Sequence, residues 1–255
     1  MIDTHCHLDD EKLYLSASEI ISKFDEHSIE KVINAGASLE GCKRSVKLCN
    51  KYDKVYATVG IHPEEATDFT SEAKDFIIKS ATNPKVVAVG EIGLDYYYEV
   101  VDRVVQQKVM AEQIEMAKSL KLPIVLHVRD AFKDALDILK DNANKLDYGV
   151  VLHCYSGSRE MLREFDKFDV FYSFGGAITF KNYGKADVIQ AVRRDRIMLE
   201  TDSPYLTPVP FRGKVNTPLN VTLVANKMAE MLSVSVDEIE KITTENAKTI
   251  YSRIR

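Results

Sequence analysis

The chain has 255 residues, 45% of them hydrophobic and 29% charged, with a formal net charge of −5. Those proportions fit an ordinary globular protein, and no apolar run reaches the roughly 18 residues needed for a membrane span. The acidic balance excludes wrapping of nucleic acid by bulk electrostatics, so a polyanion would have to be met by a local patch or a bound metal.

The N-terminus "MIDTHCHLDDEK" is polar where a signal peptide would carry its apolar segment. The four cysteines Cys6, Cys42, Cys49 and Cys154 show no C-x-x-C spacing. Both features predict a reduced, cytoplasmic protein. In chain order the predicted strands are "MIDTH" at the start, "KVINAG" from Lys31, "VYATVG" from Val55 and "KVVAVGEIG" from Lys85. "PIVLHV" follows from Pro123, "GVVLHC" from Gly149, "VFYSFGG" from Val170 and "RIMLETD" from Arg196. Charged segments of helical period lie between them, at 106–121, 131–143 and 158–168, with Ser158 as the N-cap of the last. A helix pair at 219–232 and 236–251 closes the chain.

Strands that are apolar throughout and alternate with helices predict a parallel sheet covered by helices. Eight units in this length predict an α/β fold of the (β/α)8 TIM-barrel type, as one domain over 1–255. A doubly wound open sheet is the competing architecture. Its usual mark, a glycine-rich phosphate turn after the first strand, is absent.

The six histidines are unevenly placed. His5 and His7 alternate along the first strand and so share a face, with Cys6 turned away. Glu91 ends the fourth predicted strand, His127 the fifth, His153 the sixth and Asp202 the eighth. In a barrel, the C-terminal strand ends converge on the face where active sites lie. His5, His7, Glu91, His127, His153 and Asp202 are therefore predicted metal ligands around one cavity. Six ligands exceed the need of one tetrahedral ion, which points to two divalent ions bridged by Glu91. His5, His7 and Asp202 would complete one, His127 and His153 the other. Metal-activated water would be the nucleophile, with Asp202 as its base, and Glu91 and Asp202 the catalytic carboxylates. Ligand softness admits Zn, Mn or Ni at imidazole-rich positions, and Mg where oxygen dominates.

The motifs "DTHCHLD", "VGIHP", "GEIGLDYY", "LPIVLHVRDA", "HCYSGS", "SFGGAITF" and "LETDSPYLTPVPFRGKVNTP" occur in this order over nearly the whole chain. In these the sequence resembles the TatD-family metal-dependent deoxyribonucleases of the amidohydrolase-like TIM-barrel superfamily. The resemblance implies hydrolysis of DNA phosphodiesters, commonly as a 3′→5′ exonuclease. It implies the same six ligands and is usually associated with Mg. Met110 stands where the family usually has Phe, and Val128 where a small polar residue is common. Both read as packing changes.

On the substrate side, His62 follows the third strand and reads as a substrate contact or a support for the ligands, the two-ion set being complete without it. Arg129 shares a face with His127 and suits a phosphate oxygen. Tyr155 and Phe180 are candidates for base stacking, and Arg212 and Lys214 for phosphate contacts, with Lys181 and Lys185 extending the patch. Glu200 would orient a ligand histidine. His27 reads as a solvated bystander. The partner expected is DNA, single-stranded or at 3′ ends, with no membrane and the chain a monomer. An alternative keeps the site but changes the bond to an ester or amide, as in removal of D-amino acids from tRNA. A metal-binding protein without turnover is the third reading.

Overall fold

The computed structural model describes residues 1–98 and 100–255. All eight predicted strands form: β1 (Ile2–Cys6), β2 (Lys31–Ala35), β3 (Val55–Val59), β4 (Val86–Asp95), β5 (Ile124–Arg129), β6 (Val150–Leu152), β7 (Val170–Phe174) and β8 (Ile197–Leu199). They pair in sequence order, every neighbour parallel. The helices are α1 (Glu11–Tyr14), α2 (Ala17–Ser22), α3 (Leu39–Lys51), α4 (Ser71–Ser80), α5 (Arg103–Leu120), α6 (Phe132–Asp141), α7 (Arg159–Phe165), α8 (Ala186–Ala191), α9 (Val221–Leu232) and α10 (Val236–Ile250). This is an α/β TIM barrel. None of the described helices is long and apolar enough to cross a membrane.

Local chemistry accounts for the helix boundaries. Ser158 caps α7 as expected, its Oγ accepting from Met161 N at 3.2 Å. α5 starts three residues before its predicted position because Asp102 caps it, accepting from Val104 N at 2.8 Å. It stops where Lys121 turns left-handed.

The barrel closes between β8 and β1 by cross-links rather than a long ladder. Asp202 N donates to His5 O at 2.9 Å and His7 N to Ser203 O at 2.7 Å. Beneath them, Asp3 accepts from Thr201 N at 2.9 Å and Thr201 Oγ1 at 2.6 Å, and Thr4 Oγ1 donates to Leu199 O at 2.9 Å. The two ends of the chain are thus registered against each other where His5, His7 and Asp202 sit.

Side chains fill the barrel interior, among them Ile2, Ile33, Tyr56, Val125, Phe171 and Met198. From the far end α10 and the segment after it add Ala247, Ile250, Tyr251 and Ile254. Each large apolar side chain taken from water contributes roughly 1.5–3 kcal/mol. Arg253 Nη1 pins this plug, donating to Val86 O at 2.7 Å and Ala81 O at 2.9 Å. A second apolar layer lies between strands and helices. Met110 and Val128 are both buried there, as packing residues would be. With the N-terminal end plugged, the C-terminal ends of the strands hold the open face.

Candidate metal centre

Glu91, at 3% exposure, is the hub. Its two oxygens face different partners. Oε2 lies 3.2 Å from His5 Nε2 and 3.6 Å from His7 Nε2. Oε1 lies 2.8 Å from His153 Nε2 and 3.0 Å from His127 Nδ1. Asp202 joins the first set, Oδ1 being 3.4 Å from His7 Nε2 and 3.9 Å from His5 Nε2. Among the described residues three groups could hold an ion: His5, His7 and Glu91; His5, His153 and Asp202; and His62, Glu91 and His127. All six predicted ligands are therefore brought together from five strand ends.

Electrostatics follow from this crowding. Burial alone would raise the Glu91 carboxyl, but His153, His5, His62 and His127 overrule it and hold it well below the usual range. Burial opposes charge on His7 too, yet Asp202 and Glu91 push its imidazole up to about 10. Burial likewise opposes charge on His153, and Glu91 with Glu200 raises it far above the ordinary value. His5, wholly enclosed and stacked on His153 at 3.9 Å, is lowered by burial.

A metal-ligating imidazole must keep a lone pair toward the ion, so its other nitrogen should donate outward. His7 Nδ1 donates to Ala35 O at 2.9 Å. His127 Nε2 donates to Asp95 Oδ2 at 2.9 Å, and His153 Nδ1 faces Glu200 Oε1 at 3.6 Å. For His7 and His127 the neutral ring then turns its lone pair toward Glu91, while His153 Nδ1 makes no hydrogen bond. The donor set fits divalent metal.

His62 is different. Its Nδ1 accepts from Glu64 N at 3.2 Å. A backbone N–H can only donate, so the proton of the neutral ring sits on Nε2, which lies 3.6 Å from Glu91 Oε1. Burial, then His127, depresses its pKa to about 3, so the ring stays neutral. Although His62 belongs to a metal-competent group by distance, it presents an N–H to the site and suits a substrate contact.

Sequence reasoning missed Asp95. The predicted strand stopped at Gly93, whereas β4 runs on to Asp95. Gly93 has φ of 138°, and a Cβ there would meet His127 O at 2.0 Å, so only glycine lets β4 lie this close to β5. Asp95 Oδ2 holds His127, while Oδ1 accepts from Tyr97 N at 2.8 Å and Tyr98 N at 3.1 Å. Burial would raise this carboxyl, but His127 and the two amides bring it down to about 2. Its four-residue spacing from Glu91 was the available signal.

Tyr155 requires correction. It is 4% exposed, ringed by Phe132, Phe165, Tyr172 and Phe174, with its hydroxyl donating to Ser158 O. Cys154 turns left-handed (φ 45°) and sends the next side chain into the layer between strands and helices, where no base can reach it. Cys154 itself is partly exposed. Glu200 lies beneath the site, its Oε1 accepting from Cys154 N at 2.8 Å. The guanidinium of Arg129 lies 3.8 Å from the Tyr97 ring. Arg212 and Lys214 are exposed on the loop after β8, and Arg212 covers Phe180 at 3.7 Å, so that ring face is occupied.

The family model of the TatD-related DNases matches residues 2–252. The chain belongs to the TatD family. It is 39% identical to the uncharacterized metal-dependent hydrolase YabD of Bacillus subtilis, over 98% of each chain. It is 35% identical to the similarly described YcfH of Escherichia coli K12, over 98% of this chain and 95% of that one. The crystal structure of YjjV, a TatD homolog from E. coli, superposes with a TM-score of 0.92 at 29% identity, covering 99% of this chain and 98% of the other. As a TatD-family protein the chain is a metal-dependent hydrolase, and its candidate ligands are the cluster around Glu91.

Proposed function

We propose that this TatD-family hydrolase cleaves DNA phosphodiester bonds at a centre for two divalent ions, removing nucleotides from unpaired 3′ ends. The division of Glu91 between two sets of imidazoles, one on each oxygen, is the observation that carries the reading. His5, His7 and Asp202 would hold one ion, His127 and His153 the other, drawn from Mg, Mn, Zn or Ni. When bound, such ions neutralise phosphoryl charge and make water acidic enough to ionise near neutral pH.

The chain's own groups do the rest. Asp202, an acceptor kept ionised by His7, His153 and His5 against the pull of burial, takes the proton from the attacking water. His62 Nε2–H donates to a phosphoryl oxygen as negative charge develops there. Arg129, Arg212 and Lys214 meet the phosphates along the strand. Asp95 keeps His127 oriented, and the Glu200 carboxylate lies 3.6 Å from His153 Nδ1. The basic residues on this face favour phosphate over an uncharged amide. We infer a monomer acting in the cytoplasm, the whole chain forming one catalytic domain.

A single-stranded oligonucleotide labelled with 32P at its 5′ end tests this, incubated with Mg or Mn, with EDTA, and with Glu91→Ala beside the wild type. The expected result is a ladder shortening from the 3′ end, abolished by chelator and by the substitution. An intact oligonucleotide after incubation with folded, metal-loaded wild type would remove the nuclease reading in favour of ester or amide hydrolysis.

A further inference from the structure

Immediately beyond β4 stand two exposed tyrosines. Tyr97 is 56% and Tyr98 46% exposed, with ring centroids 4.8 Å apart and planes at 89°. The Arg129 guanidinium lies 3.8 Å from one ring centroid and 4.8 Å from the other. Val100 and Val104 are also exposed. These groups are built onto the metal centre. Arg129 follows His127 by two residues on the same face of β5, and Tyr96 N donates to Arg129 O at 2.9 Å. Asp95 then fixes both sides at once, one oxygen on His127 and the other on the amides of Tyr97 and Tyr98. The carboxylate that orients a metal-site imidazole thus also fixes the backbone that carries both rings.

We propose that Tyr97, Tyr98 and Arg129 form a subsite for an unpaired nucleobase of the substrate strand. The proposal rests on the DNA-hydrolase reading and adds the residues that hold the strand. Every base offers a π-face to an aromatic ring, so such a platform grips without reading sequence. The guanidinium lies over one face of the Tyr97 ring, leaving the exposed remainder of the two rings for a base, and brings positive charge for the adjoining phosphate. A base inside a duplex has both faces covered by its neighbours, so the platform selects unpaired ends. Tyr155, enclosed in its aromatic cluster, does not compete for this role.

The test compares kcat/KM on two strands of equal length, oligothymidylate and a fully abasic tetrahydrofuran oligomer, each labelled with 32P at its 5′ end. Within one protein preparation the ratio is independent of the folded fraction, because unfolding lowers both values together. Wild type should prefer the base-bearing strand by about tenfold or more, since each stacked base contributes on that scale. Tyr97→Leu/Tyr98→Leu should lose most of that preference, and Tyr97→Phe/Tyr98→Phe should restore it, because stacking needs the ring and not the hydroxyl. A wild-type ratio in the Leu variant, or no preference in wild type while both strands are cut, overturns the platform and leaves the nuclease standing. Cleavage of neither strand by metal-loaded wild type overturns both.

Discussion

Asp95→Asn isolates a single physical effect, because the side chain keeps its size and changes only what it can donate. In the native site Oδ1 accepts from Tyr97 N and Tyr98 N, and Oδ2 accepts from His127 Nε2 at 2.9 Å. The asparagine must keep its carbonyl toward the two amides, since the flipped amide would put its NH2 against two donors. It therefore offers NH2 to His127 Nε2. The imidazole answers by moving its proton to Nδ1, the nitrogen 3.0 Å from Glu91 Oε1, and loses the inward lone pair. Losing the outer partner of a ligating histidine typically lowers metal affinity by about 10- to 100-fold. The fold should lose little, about 1–2 kcal/mol for exchanging a charged for a neutral hydrogen bond. Competition with a chromophoric chelator measures the affinity, and thermal unfolding without metal measures the fold. An Asp95→Asn protein that binds metal and turns over as wild type would refute the assignment of His127 Nδ1 as a ligand atom.

His62→Ala should keep the metal content of wild type and lose about 10²- to 10³-fold in kcat, as removal of one positioned donor does, whereas His127→Ala should lose metal; elemental analysis beside kinetics separates the two. Tyr155→Ala should destabilise by about 3–5 kcal/mol through the cavity it leaves, lowering Tm by roughly 6–20 °C in calorimetry. Restoring wild-type KM for an oligonucleotide at low temperature would agree with its packing role, and a lasting KM defect would contradict it. Metal uptake should release protons and strengthen as pH rises through neutral. His7 holds its proton up to about 10 in the metal-free site and His153 is raised as well, so protons compete more strongly at low pH. Titration calorimetry in buffers of different ionisation enthalpy reads that release directly.

The barrel and the gathering of the candidate ligands were legible because both rest largely on strand periodicity and strand direction. A strand of apolar residues ending in His, Glu or Asp places that residue at a fixed end of the sheet, and parallel order brings all such ends to one face. What the sequence did not reveal turns on single backbone angles and single amides. A left-handed Cys154 diverts Tyr155 from the site to the core, and nothing in "HCYSGS" announces that φ. Asp202 is also left-handed and lies three residues beyond β8, so its arrival beside His5 depends on the seam hydrogen bond Asp202 N to His5 O, not on strand alternation. Gly93 reads as a strand terminator, yet it is the residue that allows β4 to continue beside His127 and deliver Asp95.

His62 shows the limit most clearly, because its residue type and its distance from Glu91 both suit a metal ligand. Only the identity of the group behind the ring separates ligand from donor. A carbonyl stands behind His7, and carboxylates behind His127 and His153, so each can turn a lone pair inward. The amide of Glu64 stands behind His62 and forces the proton inward. That amide is aimed by the turn beginning at Pro63, a feature of backbone geometry that "GIHPEE" only hints at. In this site residue type fixes which side chains gather around Glu91, and the hydrogen bonds behind them fix what each can offer the substrate.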